Sequence, residues 1–199
     1  MKHSRRHVTF ALLSGLLAAL LLAACGPSNN VRLLPPPLDA SVLPAPSAPR
    51  VSVVTFADQR QDQSALGVRR DKSAFVTGDD VPQWISRALA DELARNGMQV
   101  TFALNVNQAR SGNPDYLVTG QVDEVWLREA SATDISSTLR VSYVLANRQG
   151  RLLRESLNAS QSRSGLPSGA AADNLMLETL RDLVKPMAQK IVQAVQAQK

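Results

Sequence analysis

Thr138-Leu139-Arg140-Val141-Ser142-Tyr143-Val144-Leu145-Ala146-Asn147-Arg148-Gln149-Gly150-Arg151 is the stretch that decides the fold. Leu139, Val141, Tyr143 and Leu145 share one face of an extended chain, and Arg140 and Ser142 share the other. Asn147 to Gly150 is a polar turn closed by glycine, so Arg151 to Ser160 returns antiparallel. Just upstream, Tyr116 to Leu127 supplies another strand. Gly112-Asn113-Pro114 marks the loop before it. Three consecutive strands with short connections make a meander.

Helices flank the meander. Val81, Trp84, Ile85, Ala88, Leu89 and Leu93 recur at three- and four-residue spacing, so one helix face is apolar. Asp79 or Asp80 caps this helix, Pro82 suits its first turn, and Gly97 ends it. From Ala171 onward, Leu175, Met176, Leu180, Leu183, Val184, Met187, Ile191 and Val195 trace a long second helix. Pro186 inside it removes a backbone donor and predicts a kink.

Before the first helix, Val51 to Phe56 is β-branched and alternating, and reads as a strand. Asp58 to Gln63 is a polar turn. Leu66 to Arg70 and Ala74 to Val76 read as short strands. After the helix, Met98, Val100, Phe102 and Leu104 predict a strand buried on one side. The expected fold is α+β. It is a two-layer sandwich of a mainly antiparallel sheet with one mid-chain helix and one long C-terminal helix. Residues 51–199 form a single domain.

The N-terminal segment reads differently. Lys2, Arg5 and Arg6 precede an apolar run from Val8 to Ala24, and the small residues Ala23 and Ala24 precede the chain's single cysteine, Cys25. This is the layout of a secretory signal, with cleavage expected between Ala24 and Cys25. The run is shorter than a spanning helix and leads into Gly26-Pro27-Ser28-Asn29. Ser4-Arg5-Arg6 hints at twin-arginine export, but the strongly apolar core suits general secretion. Leu22-Ala23-Ala24-Cys25 resembles the lipobox of bacterial lipoproteins. That resemblance implies acylation of Cys25 and anchoring to a membrane through the acyl chains. Two or more chains make such attachment stable, at about 0.8 kcal/mol per buried methylene. Gly26 in place of Asp after the cysteine implies transfer to the outer membrane, facing the periplasm. Residues 25–50 carry seven of the eleven prolines and read as an extended tether. Fully extended, they would reach roughly 70 Å. Leu33, Leu34, Leu38, Val42 and Leu43 are apolar enough for some to pack back on the domain.

Losing residues 1–24 changes the composition. The whole chain has 22 basic and 17 acidic residues and a formal charge of +5. Three of the basic residues, Lys2, Arg5 and Arg6, leave with the leader, and no acidic residue does, so 19 against 17 leaves +2. That balance offers no basic face for nucleic acid. Both histidines, His3 and His7, leave as well. Ser-His-Asp and Cys-His catalysis, His- or Cys-ligated zinc, His-ligated haem and disulfides are thereby excluded from the mature chain. No cofactor is implied. Carboxylate, lysine or serine-lysine chemistry and oxygen-ligand metal sites stay open.

No catalytic or metal-ligating set stands out. Asp79-Asp80 lacks the ladder of oxygen donors of a calcium loop, and capping accounts for it. Asp123 and Glu124 are adjacent on a strand and should face opposite ways. Trp84 and Trp126 read as core or interface residues. Arg181, Lys185, Lys190 and Lys199 read as a solvated helix face. Asp58 and Arg60, two apart at a strand end, should point to one side. They suit a turn-stabilising salt bridge. With Gln59, Gln61 and Asp62 they also form a candidate partner-binding loop on a rigid sheet.

The segment Val51 to Gly67, with its strand, its Asp58-Gln59-Arg60 turn and the Asp/Gln-rich run after it, resembles the YajG family of bacterial outer-membrane lipoproteins. The likeness extends in outline to the helix at Val81 to Asn96, the meander and the last helix. It implies an envelope lipoprotein of unassigned activity. Auxiliary lipoproteins of envelope lipid transporters also carry a small α/β domain on a lipid tether. The resulting expectation is a lipid-anchored, non-catalytic binding or scaffolding module. Its partner would be an envelope protein or peptidoglycan. A carboxylate-dependent cell-wall hydrolase is the enzymatic alternative.

Overall fold

The computed structural model describes residues 28–37, 43–165 and 169–198. The leader, the Ala24–Cys25 cleavage site, Leu38, Val42 and Lys199 lie outside the described residues. The elements are β1 (Arg50–Val54), β2 (Ala57–Asp58), β3 (Gly67–Val68), β4 (Ala74–Phe75), α1 (Val81–Arg95), β5 (Gln99–Ala103), α2 (Val106–Ser111), β6 (Tyr116–Glu129), β7 (Asp134–Ala146), β8 (Arg151–Ser164) and α3 (Gly169–Gln196).

The fold is α+β, as the sequence predicts. β6, β7 and β8 form the antiparallel meander, with long registers such as Val125 opposite Leu139 and Leu139 opposite Ala159. The sheet is mixed beyond it. β1, β2 and β3 lie in tandem along the other edge of β6, each parallel to it. β5 adds outside β1, also parallel, and β4 adds antiparallel to β3. One long strand therefore organises the whole sheet.

Local chemistry sets the helix ends. The Asp80 carboxylate accepts from the Gln83 amide at 2.8 Å and caps α1. Gly97 follows α1 with φ of +81°, the left-handed geometry that stops a helix. α3 runs on through Pro186 without ending there.

α1 packs over β1 and β5, α3 packs over β7 and β8, and the two helices pack side by side. Val51, Val53, Val118, Val122, Leu139 and Leu145 meet Ile85, Leu89, Leu180 and Ile191 in a continuous core. Each large apolar side chain removed from water there contributes about 1.5–3 kcal/mol before ordering costs are subtracted. A smaller cluster, Val54, Ala103 and Ala109, seats α2 on the opposite face of β1 and β5.

That second cluster corrects one expectation. Met98 is buried and Val100 and Phe102 are half-buried, but Leu104 is 62% exposed. β5 stops at Ala103 because Asn105 caps α2, a helix too short and too polar to show apolar periodicity. Phe102 instead carries the Arg87 guanidinium 4.7 Å above its ring.

The proline-rich segment is the larger correction. Residues 29–37 are docked on the domain. Val31 and Leu33 are buried. The Val31 amide donates to the Val76 carbonyl at 2.8 Å, and Val76 donates back to Asn29 at 2.9 Å. Asp173 accepts from both the backbone amide and the Nε of Arg32, and Asp79 accepts from the Leu33 amide at 2.8 Å. The Trp84 indole donates to the Leu34 carbonyl at 2.9 Å. Further along, Gln99 donates to the Ala45 and Pro46 carbonyls. Residues 29–37 therefore pack with the domain that the sequence reading began at Val51, and buried Leu33 meets the expectation that some of the segment's leucines pack back. Proline withholds hydrogen-bond donors, but carbonyls and leucines can still dock.

Candidate functional site

The loop between β2 and β3 is built around Arg60, whose side chain folds under it and is 6% exposed. Its Nε donates to Asp58 Oδ1 at 2.9 Å and its Nη2 to Oδ2 at 2.8 Å. This two-point pairing matches the planar guanidinium fork to the carboxylate. Arg60 also donates to the Ala65 and Gln63 carbonyls. The Arg60 hydrogen bonds hold the Asp58 carboxyl below the usual carboxylate range, against the opposing effect of its partial burial.

Asp62 shapes the loop tip. One of its oxygens accepts from the Ser64 hydroxyl at 2.6 Å, the Ser64 amide at 2.8 Å and the Ala65 amide at 3.2 Å. These bonds, led by the hydroxyl, lower its pKa. Both loop ends hang on β6. Gln59 donates to Val122 at 3.0 Å, and Leu127 donates to Leu66 at 2.7 Å. Of the five residues expected to form a partner-binding loop, Asp58 and Arg60 are thus the internal clamp and Asp62 is the turn former. Gln59 and Gln61 face solvent.

Under this loop, β6 carries a bulge. Val122 pairs with Val141 and Glu124 with Arg140, so Asp123 is the extra residue. Val118 and Val122 point inward before the bulge, and Val125 and Leu127 point inward after it. The strand's alternation shifts by one residue. Asp123 and Glu124 therefore lie on the same outer face, against the expectation that neighbours in a strand oppose one another. Asp123 accepts from Gln121 at 2.8 Å and from the Ser142 hydroxyl at 2.6 Å. Glu124 pairs with Arg140 at 2.9 Å. Val122, Asp123, Glu124 and Val125 already break strict alternation in the sequence, and that was the available signal for the bulge.

The loop and the bulge enclose a groove of about 480 Å³. Gln59, Gln61 and Asp62 form one wall, and Asp123, Trp126 and Arg140 form the other. The indole of Trp126 is half-buried there. Trp84, by contrast, belongs to the core and grips the N-terminal segment. A second depression, about 550 Å³, lies at the β7–β8 turn and is lined mainly by turn residues with Gln198. It has no comparable combination of an indole with both signs of charge.

The remaining candidates resolve individually. Asp79 holds the Leu33 amide and Asp80 caps α1. Lys190 is partly exposed but is not a free surface cation. It pairs with Glu155 of β8, in line with the Gln161–Asp182 and Arg163–Glu178 contacts that fasten α3 to the sheet edge. Among the described residues, no group of three or more metal-ligating side chains comes together. No described helix is long and apolar enough to cross a membrane.

No protein-family model matches the chain, and no curated protein matches it. The fold is similar to that of a Xanthomonas campestris protein of the DUF330 family, at 10% identity and a TM-score of 0.56. That match covers 86% of this chain and 96% of the other. An uncharacterized protein aligns at 11% identity and a TM-score of 0.50, over 74% of this chain and 95% of its own. Lipoprotein GNA1162 from Neisseria meningitidis aligns at 16% identity and a TM-score of 0.40, over 73% and 99%.

Proposed function

We propose that the chain is a lipid-anchored cell-envelope protein whose groove binds another envelope protein without catalysing a reaction. The observation that carries this reading is the clamped loop. Asp58 and Arg60 fix residues 59–64 above the β6 bulge, so that Gln59 and Gln61 face Trp126, Asp123 and Arg140 across a preformed cleft. An amphipathic indole beside charges of both signs suits a protein surface. The lipobox at Cys25, the Gly26 that follows it and the YajG-like turn support an outer-membrane, periplasm-facing location.

The test is site-specific photo-crosslinking in intact cells. A photoreactive residue at Gln61 or Trp126 should capture a discrete protein, and one at Lys185, on the exposed side of α3, should not. Capture of a lipid transporter component would identify the partner class, and capture of peptidoglycan alone would overturn the protein-binding reading. Cleavage of purified cell-wall material by the protein, with no crosslinked partner, would overturn the proposal in favour of a hydrolase.

A further inference from the structure

The docked N-terminal segment fixes which side of the domain meets the membrane. Among the described residues, the first held by the fold is Asn29. Its carbonyl accepts from Val76, and its side-chain oxygen accepts from Arg69 at 2.8 Å. Cys25 precedes Asn29 by only four residues in the sequence. At 3.3–3.6 Å per residue, the chain between them spans at most about 14 Å. Part of that length is used in crossing the lipid headgroups, a layer of roughly 5–7 Å on each side of the bilayer. A domain anchored through Cys25 cannot stand off on a long tether. The surface around Asn29 must lie against the bilayer.

That surface is the β3–β4 hairpin with the end of β6 beside it. Arg70 and Lys72 are exposed at the hairpin, and Arg128 is exposed on β6 opposite Val68. Val76 is an exposed apolar side chain, 40% accessible, next to the docked segment. Of the acidic groups nearby, Glu129 is neutralised by the Arg69 ion pair, while Asp71 and Asp134 keep their charge and are outnumbered by Arg70, Lys72 and Arg128. Asp71 accepts from Ser73, Glu129 from Arg69 and the Arg70 amide, and Asp134 in the adjoining turn from Ser131 and Ser164. Outward-facing basic groups around an apolar side chain complement phosphate headgroups.

We propose that this hairpin surface, Arg70, Lys72, Val76 and Arg128, is a phospholipid-contacting face that sets the orientation of the groove relative to the membrane. The proposal rests on the lipid-anchor reading above. The opposite end of the molecule, at the Asn147–Gly150 turn, then faces away from the bilayer, because β6 and β7 run between the two ends.

The experiment uses the full chain isolated with its native anchor and reconstituted into phosphatidylethanolamine–phosphatidylglycerol vesicles carrying a headgroup spin label. A fluorophore is placed at Lys72→Cys or, separately, at Gln149→Cys, two exposed positions whose substitution should leave the circular dichroism spectrum unchanged. With the ends of the 14-residue β6 some 40 Å apart, quenching at position 72 is expected to exceed that at 149 by about threefold or more. Inserting about twelve Gly/Ser residues between Cys25 and Ser28 should bring the two values together. Equal quenching at both positions in a chain whose Cys25 is acylated by mass spectrometry would overturn the orientation alone. A Cys25 thiol that reacts with maleimide in the chain without added cysteines would overturn the anchor reading, and this proposal with it.

Discussion

The Arg60 guanidinium lies on the Asp58 carboxylate through two parallel hydrogen bonds of 2.9 and 2.8 Å, tying the end of β2 to the loop that forms one wall of the groove. The arginine is buried and the aspartate is largely so. Removing either partner leaves a charge with poor access to water.

Arg60→Ala should therefore destabilise the domain by about 2–4 kcal/mol, because breaking a buried pair strands its partner. Arg60→Lys should recover little of this, since an ammonium cannot reproduce the fork or reach both carbonyls. Urea denaturation of the two variants checks it. Equal stability of Arg60→Lys and the parent chain would show that the two-point geometry contributes nothing.

The same pair gives a pH dependence. The Arg60 hydrogen bonds depress the Asp58 pKa in the folded state, and the Arg69 hydrogen bond does the same for Glu129. A depressed carboxyl contributes its full stability above the unfolded value of roughly 4, and loses that contribution as pH falls through the folded value. Stability should be flat from about pH 5 upward with respect to these groups and fall below about pH 4. Asp58→Asn should make that fall shallower in denaturation curves collected between these limits.

Two glycines separate strain from space. A Cβ on Gly67 would sit 1.7 Å from the Leu127 carbonyl oxygen, at a φ of +152°. Gly67→Ala should cost about 3 kcal/mol or more, or abolish folding, since β3 cannot pair with β6 without moving. Gly97 has a φ of +81° but open space around it. Gly97→Ala should cost only about 1 kcal/mol, through the left-handed backbone alone. Thermal melts of the two variants give the ordering.

Tyr143 tests the core. Its ring is buried, and its hydroxyl has no hydrogen-bond partner among the described residues. Burial, with Glu155 adding to it, raises its pKa beyond the ordinary phenol value. Tyr143→Phe removes an unsatisfied group at constant shape, so it should be neutral or stabilising by up to about 1 kcal/mol. A loss of more than that in chemical denaturation would reveal a partner for the hydroxyl.

The domain boundary is testable by truncation. A chain starting at Val51 lacks Val31 and Leu33, each buried against the core. Relative to one starting at Ser28, it should be less stable, because the core loses two buried aliphatic side chains worth about 1.5–3 kcal/mol each before ordering costs. Asp173→Ala, which releases the Arg32 amide and side chain, should lose about 1–2 kcal/mol and speed hydrogen exchange in residues 29–37. Identical stability of the two truncations would place the segment outside the cooperative unit.

Sequence alone determined what depends on near neighbours. Alternating Leu139, Val141, Tyr143 and Leu145 with the Asn147–Gly150 turn specified the β7–β8 hairpin. The stripe from Val81 to Leu93 between Asp80 and Gly97 specified α1, and the Asp58–Arg60 pair was readable because only one residue separates its members. The α+β class followed from the order of those elements. Other features required the tertiary structure, because their partners are far apart in the chain or their signal is irregular. The parallel alignment of β1, β2 and β3 along β6 joins segments roughly 60 residues apart. The Asp123 bulge breaks the alternation from which facing is read, so it placed two neighbouring carboxylates on the groove side. The docking of Asn29 to Pro37 on Val76, Asp79, Trp84 and Asp173 turned a supposed tether into part of the domain. The leucines of that stretch hinted at packing from their apolarity alone, but a proline-rich segment has no periodicity to show which of them dock or where their distant partners lie.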